Sequence, residues 1–170
     1  MAGPLHRFFA ADHDRLDALL RRAVAQPGGV DREAFDAFRA GLLRHIGMEE
    51  KVLFPAARRL RPELLPITSR LRVDHGAIAA LLVPPPTPRI VDDLLSVLGP
   101  HNRREEEDEG GVYDACDAAV GEAAARRMVD ELRGFPEAPL NPYNDGPEVR
   151  RHVAVTLAAS RRQWGKTAAG

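Results

Sequence analysis

The stretch from Phe35 to Val52, FDAFRAGLLRHIGMEEKV, determines the fold class that the sequence predicts. Its large apolar residues recur at steps of three and four, and the same stripe includes a histidine and a glutamate: Phe35, Phe38, Leu42, His45, Glu49 and Val52. Such steps keep side chains on one face of an α-helix, and a helical bundle buries that face. The sequence therefore predicts a helix whose buried face carries an imidazole and a carboxylate.

Three other stretches repeat this pattern. Their stripes are His6, Phe9, His13, Leu16 and Leu20; Ile67, Leu71, His75, Ile78 and Leu82; and Val91, Leu94, Leu98, His101, Glu105, Asp108 and Val112. A buried charge without a partner is strongly destabilising, so a chain that buries such groups on four helices must compensate them. A bound metal does so, because it keeps the histidines neutral and the carboxylates ionised. A buried metal site is therefore the leading hypothesis.

Proline, glycine and capping residues divide the chain into helices. Asp31 is the expected N-cap of the second helix, Pro55 should bend that helix, and Thr87 with Pro88 should begin the fourth. The predicted helical ranges are 4–25, 31–59, 67–83, 88–109 and 115–133, the last interrupted at Gly121, followed by one short helix over 147–164. We expect an all-α chain with a helical bundle in residues 1–133 and an irregular C-terminal extension, residues 134–170, which packs on the bundle or contacts a partner.

Composition excludes several classes of protein. The 170 residues carry 24 basic and 25 acidic side chains, and the net charge of -1 does not favour nucleic acid or an anionic membrane as a partner. Cys116 is the only cysteine, so no intrachain disulfide can form. The chain lacks an apolar run of about 20 residues, the length needed to cross a bilayer. We expect a cytoplasmic protein.

The histidines and glutamates carry the predicted chemistry. His45 with Glu49, and His101 with Glu105, are four residues apart, so each pair presents a nitrogen and a carboxylate on one helix face. One such pair alone is weak evidence, because most are surface interactions. Two pairs in phase with core leucines, with His13 and His75 on the other helices, predict a single cluster. The metal-ligand set is His13, His45, Glu49, His75, His101 and Glu105.

These motifs resemble those of the hemerythrin-like, or HHE cation-binding, domains. The resemblance rests on Asp12-His13, on His45-Ile-Gly-Met-Glu49-Glu50 followed by Leu53-Phe54-Pro55, on Asp74-His75, and on His101-Asn-Arg-Arg-Glu105-Glu106. It covers about residues 5–117. It implies an up-down-up-down four-helix bundle that holds two iron ions in an oxo- or hydroxo-bridged di-iron centre. In that pattern the four histidines would be terminal ligands and the two glutamates would bridge the metals. Zinc and manganese are the alternative metals.

Two positions depart from the family pattern. Ala79 stands where oxygen-carrying hemerythrins have a further histidine, so one iron would have an open position. In the fourth motif the expected apolar-aromatic pair occurs only at Val112-Tyr113, which makes Asp108 and Glu109 candidates to replace Glu105. His6 lies one heptad before His13 and is expected at the end of the bundle or in a second layer around the metals.

The sequence favours a metal- and oxygen-binding protein over a dedicated enzyme. The leading prediction is a non-haem di-iron protein that binds or reacts with O2 or another small diatomic ligand. Its role would be to sense oxygen, redox state, nitric oxide or iron, or to handle iron. A di-iron oxidase or peroxidase-like enzyme and a reversible oxygen carrier are the alternatives. A partner protein or homodimer would use the C-terminal extension. A metal-free bundle with a hydrogen-bonded polar core is the remaining reading.

Overall fold

The computed structural model describes residues 1–107 and 110–165, and their secondary structure is entirely helical. The α-helices of these ranges are α1 Pro4–Ala23, α2 Arg32–Met48, α3 Phe54–Leu60, α4 Leu65–Leu81, α5 Pro88–Glu106, α6 Val112–Val120, α7 Glu122–Arg133 and α8 Pro147–Gly165. A π-helical segment, Glu49–Leu53, joins α2 to α3, and a 3-10 turn, Pro62–Leu64, precedes α4. The all-α prediction is confirmed for the described residues.

Local signals fix several of these helix ends. The Asp31 side chain accepts a hydrogen bond from the Ala34 N–H at 3.0 Å, and the Thr87 hydroxyl accepts one from the Ile90 N–H at 3.2 Å. Each bond satisfies an amide that the first helical turn leaves without a partner. Between α6 and α7, Gly121 has a φ of 80°, a conformation that favours glycine. These predicted boundaries are confirmed.

The second predicted helix is not one continuous α-helix. After Met48 it widens into the π-helical segment, in which the Phe54 N–H bonds to the Glu49 carbonyl, and α-helix resumes from Phe54. Pro55 has no N–H to donate, so a regular ladder would be interrupted there in any case. The wider turn adds one residue, and Glu49 and Phe54, five residues apart, are both buried.

Two apolar clusters form the core. The first apolar cluster includes Leu16, Phe38, Leu42, Ile78 and Leu98, and the second includes Phe9, Met48, Phe54, Leu71 and Val112. Two apolar residues from each of the four predicted stripes are buried here: Phe9, Leu16, Phe38, Leu42, Leu71, Ile78, Leu94 and Leu98. On each of α1, α2 and α4, a histidine lies between residues of the two clusters. A polar layer therefore separates them.

The C-terminal segment returns across the other helices. The Arg39 guanidinium on α2 donates to the Asn141 carbonyl at 3.0 Å, and Tyr143 hydrogen-bonds Asp36 of the same helix. α8 then packs along α4 and contributes Leu157 to the first apolar cluster. The end of α8 thereby lies against α4, where the Ser160 hydroxyl donates to the buried Asp74.

No helix in residues 1–107 and 110–165 combines the length and the apolar character needed to cross a membrane.

Candidate metal centre

The six residues predicted as metal ligands lie together in the polar layer. Each is between 0% and 7% exposed: His13, His45, Glu49, His75, His101 and Glu105. Their potential ligand atoms form two groups, each with all members within 4.8 Å of one another: Glu49, His75, His101 and Glu105 in one, and His13, His45 and Glu105 in the other. The structure therefore gives the layer two halves, one around the His13 and His45 pair and one around the His75 and His101 pair.

Both glutamates extend across the two halves. The Oε1 atom of Glu49 lies 3.6 Å from His45 Nε2, while its Oε2 atom lies 3.1 Å from His75 Nε2. Glu105 is placed in the same way, with Oε2 at 3.5 Å from His13 Nε2 and Oε1 at 3.1 Å from His101 Nε2. Each carboxylate thus directs one oxygen to each pair of histidines, which is the placement required of a bridging ligand.

Some of these atoms lack the partners that buried polar atoms need. Among the described residues, Glu49 Oε2 and Glu105 Oε1 have no hydrogen-bond donor. Each lies 3.1 Å from a histidine Nε2, but the alignment of that contact is too poor for a hydrogen bond. The Nε2 atoms of His75 and His101 face each other at 3.2 Å, where two protons would collide. A cation bound by both oxygens and both nitrogens would satisfy all four atoms. The donor set fits a metal.

A carboxylate from a neighbouring helix holds the other nitrogen, Nδ1, of every one of these histidines. Asp12 of α1 accepts from His45 at 2.9 Å, and Glu50 accepts from His75 at 2.8 Å. Asp74 accepts from His101 at 3.3 Å, and Glu106 accepts from His13. We call these four acids the orienting carboxylates: Asp12, Glu50, Asp74 and Glu106. The four carboxylate–histidine contacts connect the helices in a closed ring, from α1 to α2 and its π-helical continuation, then to α4, α5 and back to α1. Each contact leaves the Nε2 atom of its histidine directed inward.

One orienting carboxylate is itself held by α8. The Oδ1 atom of Asp74 accepts from the Ser160 hydroxyl at 2.6 Å and from the Gln163 amide at 2.8 Å. The Trp164 indole N–H lies 3.0 Å from both of its oxygens. The last turns of α8 therefore fix the acid that orients His101.

The charges of the layer are strongly coupled. Burial alone would lower the pKa of His45, but the Glu49 charge and the hydrogen bond with Asp12 raise it to about 9. Burial acts likewise on His75, yet its close contact with the Glu49 carboxylate and its hydrogen bond with Glu50 raise its pKa to about 10. The pKa of Glu49 lies well below its ordinary value, because the neighbouring His45 outweighs the effect of burial. Without a cation, protons on the histidines balance the glutamates.

Tyr113 is a member of the layer that the sequence did not single out as a site residue. It is 0% exposed, and its hydroxyl donates to Glu49 Oε1 at 2.6 Å. The same oxygen lies 3.1 Å from Glu105 Oε2, 3.3 Å from His45 Nε2 and 3.4 Å from His13 Nε2. Burial, together with the charges of the two glutamates, raises the pKa of Tyr113 well above its ordinary value. The signal in the sequence that could have identified it is the Val112-Tyr113 pair, because a phenylalanine would fill an apolar core position equally well without burying a hydroxyl.

The remaining candidates lie outside the layer's centre. His6 is buried, its Nδ1 bonds to Asp114 at 2.7 Å, and its ring centroid lies 6.2 Å from that of Tyr113. Ala79 is partly exposed, one turn after His75. Asp108 and Glu109, the candidates to replace Glu105, lie outside the described residues. Burial raises the pKa of the Cys116 thiol to about 12, as expected for a small apolar core residue without reactivity.

A cavity leads to the layer from the side of the first apolar cluster. It has a volume of about 210 Å³, and Leu16, Leu42 and Leu98 are among the apolar residues of its walls. His13 and Glu106 also line it, so the cavity reaches one candidate ligand and its orienting carboxylate.

Comparison with protein families matches residues 5–83 to the hemerythrin HHE cation binding domain. The resemblance inferred from the motifs is therefore confirmed over this segment, which contains His13, His45, Glu49 and His75. His101 and Glu105 lie beyond the matched residues, in the part of the chain where the fourth motif is irregular. Neither the search among curated proteins nor the search among solved structures gave a significant match.

Proposed function

We propose that this chain, hemerythrin-like over residues 5–83, binds two iron ions in its polar layer and that the reduced pair reacts with O2 or another small diatomic ligand such as nitric oxide. The observation that carries the proposal is the position of the two glutamates, each with one oxygen toward each histidine pair. His13 and His45 would hold one ion, His75 and His101 the other, and Glu49 and Glu105 would bridge them. Imidazole and carboxylate donors suit iron, while zinc and manganese are the competing metals.

The proposal includes an up-down-up-down arrangement of α1, α2, α4 and α5. Support comes from the order in which the helices cross the polar layer. Along α1 the chain passes from Phe9 of the second apolar cluster to Leu16 of the first, and along α2 it passes back from Leu42 to Met48. α4 leads from Leu71 of the second cluster to Ile78 of the first. Such alternation is what consecutive antiparallel helices produce.

When bound, the two ions supply redox electrons and open coordination positions for a small ligand. The chain's own residues do the rest. The orienting carboxylates keep each Nε2 directed at the ions and increase the basicity of the imidazoles. The two apolar clusters limit the access of water to the polar layer and so lower the local dielectric constant. The lower dielectric constant strengthens the contacts between opposite charges in the layer.

The cavity beside His13 favours a diatomic ligand over an organic substrate. Its volume of about 210 Å³ is smaller than the roughly 300–1,000 Å³ typical of pockets for drug-sized ligands. A larger cavity of about 760 Å³ borders the orienting carboxylate Asp12, but no candidate ligand lines it. The small volume at His13 itself therefore favours sensing or handling of a small molecule over an oxidase with a bulky substrate. Ala79 supplies no ligand to the half that contains His75, so we expect reaction with O2 instead of reversible carriage. We place this activity in the cytoplasm, consistent with a single, buried cysteine.

The test is to load the metal-free full chain with ferrous iron under anaerobic conditions, measure bound iron, and mix it with O2. We expect about two iron ions per chain, because six donors hold two cations only if carboxylates bridge. O2 should convert the reduced form to a ferric form without a long-lived oxygenated species. Glu105→Ala should lose iron sharply, while the exposed Glu63→Ala should retain two ions.

A chain that stays helical and binds no iron would contradict the proposal. Two bound ions with reversible O2 binding over many cycles would instead assign the oxygen-carrier function. Sustained turnover of peroxide or a reductant would assign the enzyme.

A further inference from the structure

Among the residues that the structure describes, every hydrogen-bond contact of the Tyr113 hydroxyl is with a candidate metal ligand. Its four nearest polar neighbours are Glu49 Oε1, Glu105 Oε2, His45 Nε2 and His13 Nε2, at 2.6, 3.1, 3.3 and 3.4 Å. A phenol has one proton to donate, so it can satisfy only one of the two carboxylate oxygens at a time. Even with both imidazoles donating to this oxygen, one of the two carboxylate oxygens is left without the phenol proton, whereas a bound cation would satisfy all four atoms.

The spacing of these atoms matches the edges of a coordination shell. Nitrogen and oxygen donors lie about 2.1 Å from a transition metal such as zinc, so donors at right or tetrahedral angles are about 3.0–3.4 Å apart. Three of the four distances from the Tyr113 oxygen fall in that range. The two histidine-to-glutamate distances of this half, 3.5 and 3.6 Å, lie just above it.

We propose that Tyr113 is a seventh protein ligand, binding as a phenolate to the ion held by His13 and His45. This inference rests on the proposed function. Coordination replaces the phenol O–H bond with a bond to the metal, and the proton leaves to solvent. The two glutamates disfavour a phenolate in the metal-free chain, but bound cations neutralise that repulsion.

The proposal makes the two metal positions unequal. The first half then has five donors: the nitrogens of His13 and His45, one oxygen from each glutamate, and the phenolate of Tyr113. The second half keeps four, since the position one turn after His75 is Ala79. The ion held by His75 and His101 therefore keeps more open positions for an exogenous ligand than the ion on the side of the cavity at His13.

Iron(III) phenolates absorb visible light by charge transfer, which gives a direct readout. The experiment compares the iron-loaded, oxidised full chain with Tyr113→Phe and Tyr143→Phe. Tyr143 is the other tyrosine of the chain and hydrogen-bonds Asp36 away from the layer, so it is a matched control. We expect a visible phenolate band, with tyrosinate modes in the resonance Raman spectrum, in the wild type and in Tyr143→Phe, and its loss in Tyr113→Phe.

A second measurement does not depend on the variant's folding. Zinc added to the metal-free wild-type chain at neutral pH should produce the ultraviolet difference spectrum of one ionised tyrosine per chain. Two bound iron ions without a phenolate band, or a band that persists in Tyr113→Phe, would overturn the tyrosine ligand and leave the di-iron proposal standing. Absence of bound metal would overturn both.

Discussion

At the scale of single residues, the neighbours of the histidines define the site as much as the histidines do. An imidazole can bind a metal through either nitrogen, and the hydrogen bond at one nitrogen decides which remains free. Here Nδ1 is held by a carboxylate in all four cases. The acids come from adjacent helices, so each histidine is oriented by a helix other than its own.

This arrangement predicts the effect of removing one orienting carboxylate. Asp12→Asn should lower the metal affinity of the chain about 10- to 100-fold, because loss of such a partner typically has this cost. The amide cannot accept as strongly from His45, and it can rotate to present a donor. Asp14→Asn, an exposed acid two residues away on the same helix, is the control. Metal affinity is measured by competition with a chelator at fixed pH, and equal affinities in the two variants would contradict the prediction.

Sequence alone could identify the six ligand candidates but not all of their contacts. Heptad phase placed His45 and Glu49 on a buried face because helical periodicity is a local property. Adjacent residues point apart on a helix, so Asp12 and Asp74 do not meet the histidines that follow them and instead contact His45 and His101 on other helices. Which histidine each acid meets depends on the packing of whole helices, and so does the position of Tyr113.

At the scale of elements, α8 connects the end of the chain to the polar layer. Its apolar stripe is narrow, so the sequence indicated only that it packs outside the bundle or contacts a partner. The structure places Ser160 and Gln163 on Asp74, and the 3.3 Å contact from Asp74 leads on to His101. No sequence periodicity encodes such polar contacts across more than 80 residues.

We therefore expect α8 to influence metal retention. The double variant Ser160→Ala and Gln163→Ala should lower the free energy of unfolding by about 1.5–3 kcal/mol per lost bond, the usual contribution of hydrogen bonds to charged groups. It should also release iron to a chelator faster, because Asp74 then holds His101 less firmly. His152→Ala, an exposed position on α8, is the control. Lower stability with unchanged iron release would show that α8 supports the fold without affecting the metals.

The π-helical segment is the element that local signals could not reveal. Proline at position 55 predicted a disturbance but not its form, because a bend and a wide turn both tolerate the missing N–H. The wide turn lets Glu49 reach the polar layer while Phe54 fills the second apolar cluster. The π-helical geometry of this segment is therefore determined by tertiary packing, in the polar layer and in the second apolar cluster.

At the scale of the whole molecule, the metal-free chain must balance two buried glutamates with protons. A carboxyl group with a lowered folded-state pKa adds stability above its unfolded pKa, and this stability is lost as pH falls. Glu49 is such a group, with an ordinary value of 4.5. A histidine with a raised folded-state pKa adds stability that is fully present below its ordinary pKa of 6.5. This stability is lost as pH rises through the folded-state pKa, which is about 9 for His45 and about 10 for His75.

The metal-free chain should consequently be most stable between about pH 4.5 and 6.5 and lose stability on both sides, with the alkaline loss extending to about pH 10. The zinc-loaded chain should not lose stability at alkaline pH, because its coordinated histidines are already neutral. The affinity for zinc should rise over the same alkaline range, because fewer protons must be displaced from the histidines. Urea unfolding at a series of pH values measures both profiles, with the exposed His152→Ala as control. A metal-free profile that is flat between about pH 6.5 and 9 would show that protonated histidines do not balance the glutamates.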